Sequence, residues 1–473
     1  MSSDALKKPL QWRLTVRERQ FILLFGDLLA SIASLFLAVY FWAQPDWLKF
    51  SLEFIQQRIP FWFFLLPVLW LILLIELYDL RRAASSKVTL KGIFSAAGVC
   101  LALYLLAYFT SEPNSLPRRG VAVFIVCSTL FTLIWRTFYI KVFTAQPFLK
   151  RVLVIGAGKS GRTLARCVRD IYPDPFHLIG FIDDDESKRN TVLEGYPILG
   201  NSDEMARLVD QYQITDLVFS ISKNVDAKTF QNIIRLQEEG IEIKSMPATY
   251  EELLGRIPIT VLQSDWLLRT FVDQAQTGIM YNMAKRLMDV AGGLIGSLFF
   301  LLIFPFVALA ILIDSGKPIF YSQARLGKNG KAFKILKFRT MIQDAEKDGI
   351  ARMAVQNDDR ITRVGNFLRK SHLDEFPQFL NVLKGELSLV GPRAEREQLT
   401  NSLQEVVPFY RTRLLVKPGV TGWAQINYGY ASTVEDTTVK LEYDLYYIKH
   451  QSLVLDFSII LRTVGDILGF RGR

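Results

Sequence analysis

The chain is 473 residues long, half of them hydrophobic and 22% charged, with a formal net charge of +10. This mixture excludes a single uniform class and points to membrane segments joined to soluble domains, two or three in number at this length. The three cysteines (Cys100, Cys127, Cys167) and three histidines (His177, His372, His450) are too scattered for a disulfide framework or a metal site.

The N-terminal stretch carries Lys7, Lys8, Arg13, Arg17 and Arg19, shows no signal-peptide cleavage pattern and runs directly into apolar sequence. Four apolar stretches follow, at 21–42, 61–78, 92–109 and 121–139. Each is about 18 to 22 residues, enough as a helix to cross a hydrocarbon core of about 30 Å. Buried helices of a soluble protein are the alternative, and four such runs almost back to back count against it. Arg81, Arg82, Lys87 and Lys91 fill the second connection, and the fourth stretch exits through Arg136 into Lys141, Lys150 and Arg151. The positive-inside rule therefore puts the N-terminus and everything after Lys150 in the cytoplasm. Asp27 is expected to pair with a neighbouring helix, and Glu76 and Asp79 to lie at the interface.

From Arg151 the pattern changes. RVLVIGAGKSGRTLARCVRD reads as a buried strand, a glycine turn and an amphipathic helix. Gly156, Gly158 and Gly161 have the G-x-G-x-x-G spacing that lets a phosphate approach a helix N-terminus. A second strand, LIGFIDDD, ends at Asp183, where an acidic residue would meet a ribose hydroxyl. ITDLVFSIS and GIEIKSM read as further strands, and a Rossmann-like domain is expected. It spans about half of a full dinucleotide fold, so nucleotide binding and a turn kept for packing stand equally open. Tyr281 and Lys285 have the Y-x-x-x-K spacing of short-chain dehydrogenase-like enzymes, which makes nucleotide-sugar oxidoreductase or dehydratase chemistry an alternative. Lys285 opens a long apolar run, however, and anchoring at a membrane edge explains it better.

That run reaches Ile313 and holds Pro305, which removes a backbone hydrogen bond and bends a helix. A straight span would carry the following sequence across the membrane. A helix that bends at Pro305 and returns to the same face avoids this, and the charge that follows favours re-entry. Gln323, Arg325, Lys331, Lys334, Lys337 and Arg339 come first, then Arg360, Arg363, Arg369 and Lys370, then Arg393 and Arg396. Arginine and lysine among glycine and aromatic residues suit phosphate recognition; a solvated basic face or attraction to anionic headgroups is the plainer alternative. Within this region lies the acidic pair Asp374–Glu375. One of two such carboxylates can attack phosphorus or activate an acceptor while the other helps to hold Mg²⁺. Ser371 with Asp374 as a helix cap is the structural alternative. Nucleic-acid binding ranks last, because the cations are interleaved with carboxylates and attached to membrane segments.

Taken together, these residues resemble the bacterial sugar transferase family of monotopic polyprenyl-phosphate phosphoglycosyl transferases. The resemblance rests on Lys285-Arg286 with Asp289, the broken apolar helix, Q-x-R-x-G at Gln323 to Gly327, KFRTM at Lys337 to Met341, NDDRIT, FLRK, LDEFPQFLNVLKG, SLVGPR, and KPGVTGWAQ at Lys417 to Gln425. It covers about Tyr281 to the C-terminus, and what precedes it is similar to the large members of the family. The resemblance implies that Asp374 is the nucleophile, forming a covalent aspartyl-phosphosugar, and that Glu375 assists with Mg²⁺. It implies phosphate binding by Lys337, Arg369 and Arg393, with Arg339, Gln323 and Arg325 as further substrate-binding candidates. Gly156, Gly158, Gly161 and Asp183 are the candidates for a nucleotide in the middle domain. The implied reaction is transfer of a hexose-1-phosphate from a UDP-sugar to undecaprenyl phosphate, releasing UMP and starting an exopolysaccharide, capsule or O-antigen repeat unit. The sugar is left open, with glucose or galactose preferred, and a homodimer in the bacterial inner membrane is expected. A non-enzymatic assembly scaffold in the membrane is a further alternative.

Departures from the common pattern include Phe376 and Phe379 in place of leucines, His372 in place of a small residue, and Ala394 after Gly-Pro-Arg. All are expected to be absorbed by packing. The tail from Val434 to Arg473 has the composition of amphipathic helices lying in a membrane interface, or of core helices in the catalytic domain. The expected fold is a four-helix transmembrane domain (1–148), a Rossmann-like α/β domain (149–260), a linker (261–279), and a helix-rich monotopic catalytic domain with a re-entrant membrane helix (280–473).

Overall fold

A computed structural model describes residues 14–78, 80–110, 117–143, 149–172, 174–220, 227–262, 278–342, 360–429 and 433–468. It divides into two compact units, Met1–Leu253 and Leu254–Arg473. Among the described residues, Glu18–Ala43, Ser86–Phe109, Arg118–Phe143 and Ile279–Ser315 are helices long and apolar enough to cross a membrane. This is a membrane protein with an added sheet-containing domain.

In the first unit, helix α1 (Val16–Ala43) starts from a reciprocal cap in which Thr15 accepts from the Glu18 amide and Glu18 accepts from the Thr15 amide. The interhelical pairing expected of Asp27 is met by Arg136, at 2.6 Å, with both side chains buried. Gly26 leaves the space that the Trp135 indole occupies. Arg136 belongs to α6 (Arg118–Phe143) and also donates to the Leu77 carbonyl at 2.9 Å. That carbonyl needs a side-chain donor because the second apolar stretch is not one helix. After the short α2 (Leu52–Arg58) it runs as a 3-10 turn (Phe61–Leu65), α3 (Leu66–Leu73) and a second 3-10 turn (Ile75–Tyr78). Pro67 is tolerated there because it falls in the first turn of α3. Trp70, on the same helix, is buried and donates to Thr132 at 3.0 Å. A short α4 (Leu80–Ala83) leads into α5 (Ser86–Thr110). Asp79 lies outside the described residues, as does the side chain of Glu76.

The same unit contains a six-stranded sheet of order β3-β4-β2-β1-β5-β6. Strands β1 (Arg151–Ile155), β2 (His177–Ile182), β4 (Tyr196–Gly200), β5 (Asp216–Phe219) and β6 (Glu242–Ser245) pair in parallel, and β3 (Val192–Leu193) closes one edge antiparallel. The inner strands β1 and β2 are nearly continuous apolar runs, as parallel strands covered by helices must be, whereas the edge strand β6 is polar and more exposed. Helices α7 (Lys159–Asp170), α8 (Met205–Tyr212), α9 (Ala227–Glu238) and α10 (Met246–Leu254) accompany them. The glycine turn joins β1 to α7: Gly156 has φ +102°, and a side chain at Gly161 would overlap the Gly156 carbonyl. Arg19, at the start of α1, donates to the Pro175 carbonyl at 2.6 Å, so the membrane helices and the sheet are fastened by a buried bond.

In the second unit, α11 (Ile279–Ser315) continues as a helix through Pro305. Its early turns are narrow, with Gly292, Gly293 and Gly296 facing Leu389, Leu383 and Phe379. Its later turns bury Val307 and Ile311 against Phe338 and Leu368. An antiparallel hairpin follows, β7 (Phe320–Leu326) with β8 (Ala332–Phe338). Then come α12 (Arg363–Lys370), α13 (Gln378–Lys384) and β9 (Ser388–Val390), which pairs in parallel with β10 (Gly419–Thr421). Helices α14 (Glu397–Val406), α15 (Trp423–Asn427), α16 (Val434–Lys449) and α17 (Leu453–Leu468) complete it. Its main core gathers Val382, Val390, Leu441, Leu445 and Ile459 from four of these elements, with Leu387 from the turn between α13 and β9. Phe376 and Phe379 meet as tilted rings with centroids 5.5 Å apart, so the two departures from leucine pack as an aromatic pair.

Candidate active site

The acidic pair lies on one 3-10 turn, Leu373–Glu375, between α12 and α13. Two local features set that turn. His372 enters it in the left-handed conformation (φ +56°), and Pro377, which lacks an N–H, precedes the first residue of α13. Ser371 turns its hydroxyl back to the Phe367 and Leu368 carbonyls, at 2.9 and 3.2 Å, and does not cap the turn of Asp374.

Asp374 is buried, at 8% exposure, and has neither a hydrogen bond nor an ion pair among the described residues. Glu375 holds two cations on one oxygen: Lys337 Nζ at 2.6 Å and Arg393 Nη2 at 3.0 Å from Oε1. Lys337 comes from β8 and Arg393 from the turn that follows β9. The two carboxyls consequently ionise far apart. Burial first, and then the Glu375 charge, push Asp374 up to about 6, against the pull of Lys337, Arg369 and Arg393. Burial also opposes ionisation of Glu375, but Lys337 and Arg393 outweigh it and hold that carboxyl well below the usual range.

The other site residues expected from sequence fall in different surroundings. Arg369, on α12, donates to Thr340 Oγ1 at 3.0 Å, and its charge reaches Asp374. Arg325 lies behind the Arg393 turn, 3.4 Å from the Ala394 carbonyl and 3.7 Å from Glu395. Arg339 ties the end of α11, donating to the Ser315 carbonyl at 2.7 Å and the Gly316 carbonyl at 2.5 Å. Gln323 sits mid-strand in β7 opposite Ile335. In the first unit, Asp183 accepts from the Ala157 amide at 2.7 Å and pairs with Lys188 at 3.1 Å. Gly158 is the residue before α7 and has no side-chain cap.

Sequence reasoning missed part of the set that holds the Arg393 turn, and named Tyr281, Lys285 and Asp289 only as motif positions. Asp456, fully buried on α17, accepts from Tyr281 at 3.0 Å and from Tyr447 at 2.8 Å, and pairs with Lys285 at 3.0 Å. Lys285 and Tyr447 both donate to the Val390 carbonyl, at 3.1 Å each. Asp289 accepts from Ser388 Oγ and the Leu389 amide, both at 2.9 Å. Arg413 donates to the Arg393 carbonyl at 3.1 Å and to Asp444 at 2.9 Å. The Y-x-x-x-K pair is therefore occupied within a buried network in the second unit. One signal was available in the sequence: a lone acid inside the apolar run LVLDF.

Residues 280–469 match the family model described as "Bacterial sugar transferase", and residues 73–247 match one described as "CoA-binding domain". The chain is 41% identical over 224 residues to the UDP-N-acetylgalactosamine-undecaprenyl-phosphate N-acetylgalactosaminephosphotransferase of Aeromonas hydrophila, covering 47% of this chain and 52% of that one. It is 42% identical over 188 residues to the UDP-glucose:undecaprenyl-phosphate glucose-1-phosphate transferase of Escherichia coli (strain K12), covering 39% and 40%. It is 40% identical over 186 residues to the exopolysaccharide production protein PSS of Rhizobium leguminosarum bv. phaseoli, covering 38% of this chain and 92% of that one. The matches to the first two span about half the length of those relatives.

Proposed function

The chain belongs to the bacterial sugar transferase family, and from that premise we propose that it transfers a hexose-1-phosphate from a UDP-sugar to undecaprenyl phosphate. The observation that carries the reading is the contrast within the acidic pair: a buried Asp374 without a partner among the described residues, next to a Glu375 whose Oε1 holds both Lys337 and Arg393. An Asp374 oxygen attacks the phosphorus that bears the sugar. The bond to the bridging oxygen breaks, and UMP leaves with the electron pair. An oxygen of undecaprenyl phosphate then attacks the same phosphorus and releases the Asp374 carboxylate. Dividing one displacement into two lets each nucleophile act from a held position. Lys337 and Arg393 are poised for charge-assisted bonds to the diphosphate, and Arg369 adds a third positive charge.

The donor set fits Mg²⁺ of the kind held by a carboxylate together with substrate phosphates. No group of three or more His, Cys, Asp or Glu that could hold a metal by itself occurs among the described residues, and Glu375 Oε2 is left outside both cation contacts. Glu375 would hold the ion, whose chemistry there is neutralisation of the diphosphate charge.

The reading extends to the rest of the chain. Both ends of α11 bond within one unit, through Asp289 to Ser388 at the start and through the Ser315 carbonyl to Arg339 at the end. This supports a re-entrant helix that enters and leaves the membrane on one face, the cytoplasmic one. The parallel sheet with its glycine turn supports a Rossmann-like middle domain with a nucleotide as candidate ligand. The bacterial inner membrane is the expected location, and the start of a polysaccharide repeat unit the expected role.

The experiment is UMP release from a panel of UDP-sugars by the purified full-length protein, with Mg²⁺ and with or without undecaprenyl phosphate. Release with one sugar, lost in Asp374→Asn, supports the reading and names the donor. Undiminished release from that variant removes Asp374 from the reaction.

A further inference from the structure

A second cationic site lies at the opposite end of α13 from the acidic pair. The helix terminates at Gly385, in the left-handed conformation (φ +82°). Arg286, from α11, covers its last turn by donating to the Val382 and Leu383 carbonyls, both at 2.8 Å. Lys417 reaches the same place from the loop before β10, whose backbone runs against Gly391. A Cβ on Gly385 would stand 3.5 Å from Arg286 Nη2 and 3.6 Å from Lys417 Nζ. The two cationic heads therefore border one notch, which glycine leaves open.

What the notch lacks, among the described residues, is a carboxylate bonded to either cation. The bonds of Arg286 go to carbonyls, and Lys417 Nζ has no hydrogen-bond or ion-pair partner among the described residues. Burial, and then the charges of Arg286 and Lys328, lower the pKa of Lys417, and Asp289 offsets them only in part. Like charges gathered without a counter-ion disfavour the protonated lysine, and a bound anion reverses that. The surroundings indicate where the anion comes from. Arg286 lies between Met283 and Leu287, both largely exposed, at the start of a helix apolar enough to enter a membrane. A cation at such a boundary meets lipid headgroups.

We propose that the Gly385 notch, bordered by Arg286 and Lys417, binds the phosphate of an anionic membrane phospholipid. It is not a subsite of the transfer reaction, because the seven residues of α13 set it about 10 Å from the acidic pair. Its occupation bears on the site indirectly. The Ser388 amide donates to the Pro418 carbonyl and the Gly419 amide to the Pro392 carbonyl, both at 2.9 Å, so a lipid held by Lys417 steadies β9 and the turn after it that carries Arg393.

The test uses full-length protein in phosphatidylcholine nanodiscs with and without phosphatidylglycerol. Retained phosphatidylglycerol is counted by mass spectrometry after detergent exchange, and the melting temperature is read in parallel. Lys417→Gln is expected to retain about fivefold less phosphatidylglycerol than wild type and to lose the melting gain that this lipid confers. Lys417→Arg should keep both, as should Lys331→Gln, which removes an exposed cation outside the notch. Equal retention by Lys417→Gln and wild type overturns the proposal. So does selective loss of undecaprenyl phosphate, which would assign the notch to the acceptor. Independently of any variant, phosphatidylglycerol with a photoreactive headgroup should label wild-type peptides containing Gly385 or Lys417, and labelling confined to other segments overturns it as well. None of these readouts requires turnover.

Discussion

Asp374 and Glu375 are neighbours on one turn, yet one carboxyl is pushed up to about 6 while the other is held well below the usual range. A nucleophilic Asp374 must be ionised, so UMP release in the first half-reaction should rise tenfold per pH unit below about 6 and level off above it. Glu375→Gln removes the adjacent negative charge and should move this inflection to lower pH. Lys337→Met removes a positive one and should move it higher. Single-turnover UMP release across pH, without acceptor, measures all three profiles; an inflection that stays put in both variants would exclude Asp374 as the titrating group.

The same burial has a cost in stability. A carboxyl raised in the folded state is most stabilising when protonated, and its contribution is lost as pH rises through about 6. Asp374→Asn should therefore melt higher than wild type at pH 7.5, with the difference shrinking toward pH 5. Thermal unfolding of both proteins over that range tests this, and a constant difference would count against it.

Asp456 is the only carboxylate that the described structure pairs with Lys285. Asp456→Asn leaves a buried ammonium uncompensated and should cost about 3–5 kcal/mol, whereas Lys285→Met combined with Asp456→Asn should recover most of that. Denaturation of the two variants in detergent distinguishes a charge effect from simple loss of packing, in which case the double variant would be the less stable.

Gly365 sits where a Cβ would overlap the Thr340 carbonyl. Gly365→Ala must push α12 away from the segment after β8, and with it Arg369, whose bond to Thr340 crosses the same gap. On the proposed phosphate-binding role of Arg369, its displacement should lower turnover by about 10²-fold, which kcat for UMP release would register. Normal kcat in the folded variant would show that Arg369 need not be held there.

Much of this was legible in the sequence because chemistry and local order coincide. The apolar stretches, the glycine turn and Asp374–Glu375 each announce themselves within a short window. Lys337 and Arg393 could be read as candidates for phosphate binding, but their shared hold on one Glu375 oxygen could not. Arg339 illustrates the limit: its charge marks it for substrate, and the structure spends its Nη2 on the end of α11. The second apolar stretch has the composition of a spanning helix, but Pro67, Trp70 and the carbonyl of Leu77 make it a composite of turns. Asp456 and Arg413 were missed, and Asp289 was named only as a motif position, because their meaning lies in partners far along the chain, which no local pattern encodes.

The hold on the Val390 carbonyl also bears on the order of synthesis. Tyr281 and Asp456, which meet in that network, lie 175 positions apart. The ribosome therefore delivers the acidic pair and both of its cations well before the helix that steadies their setting. A nascent chain that has just exposed Asp374 carries the acidic pair before the Arg393 turn is held, and that setting is completed only once α17 has emerged.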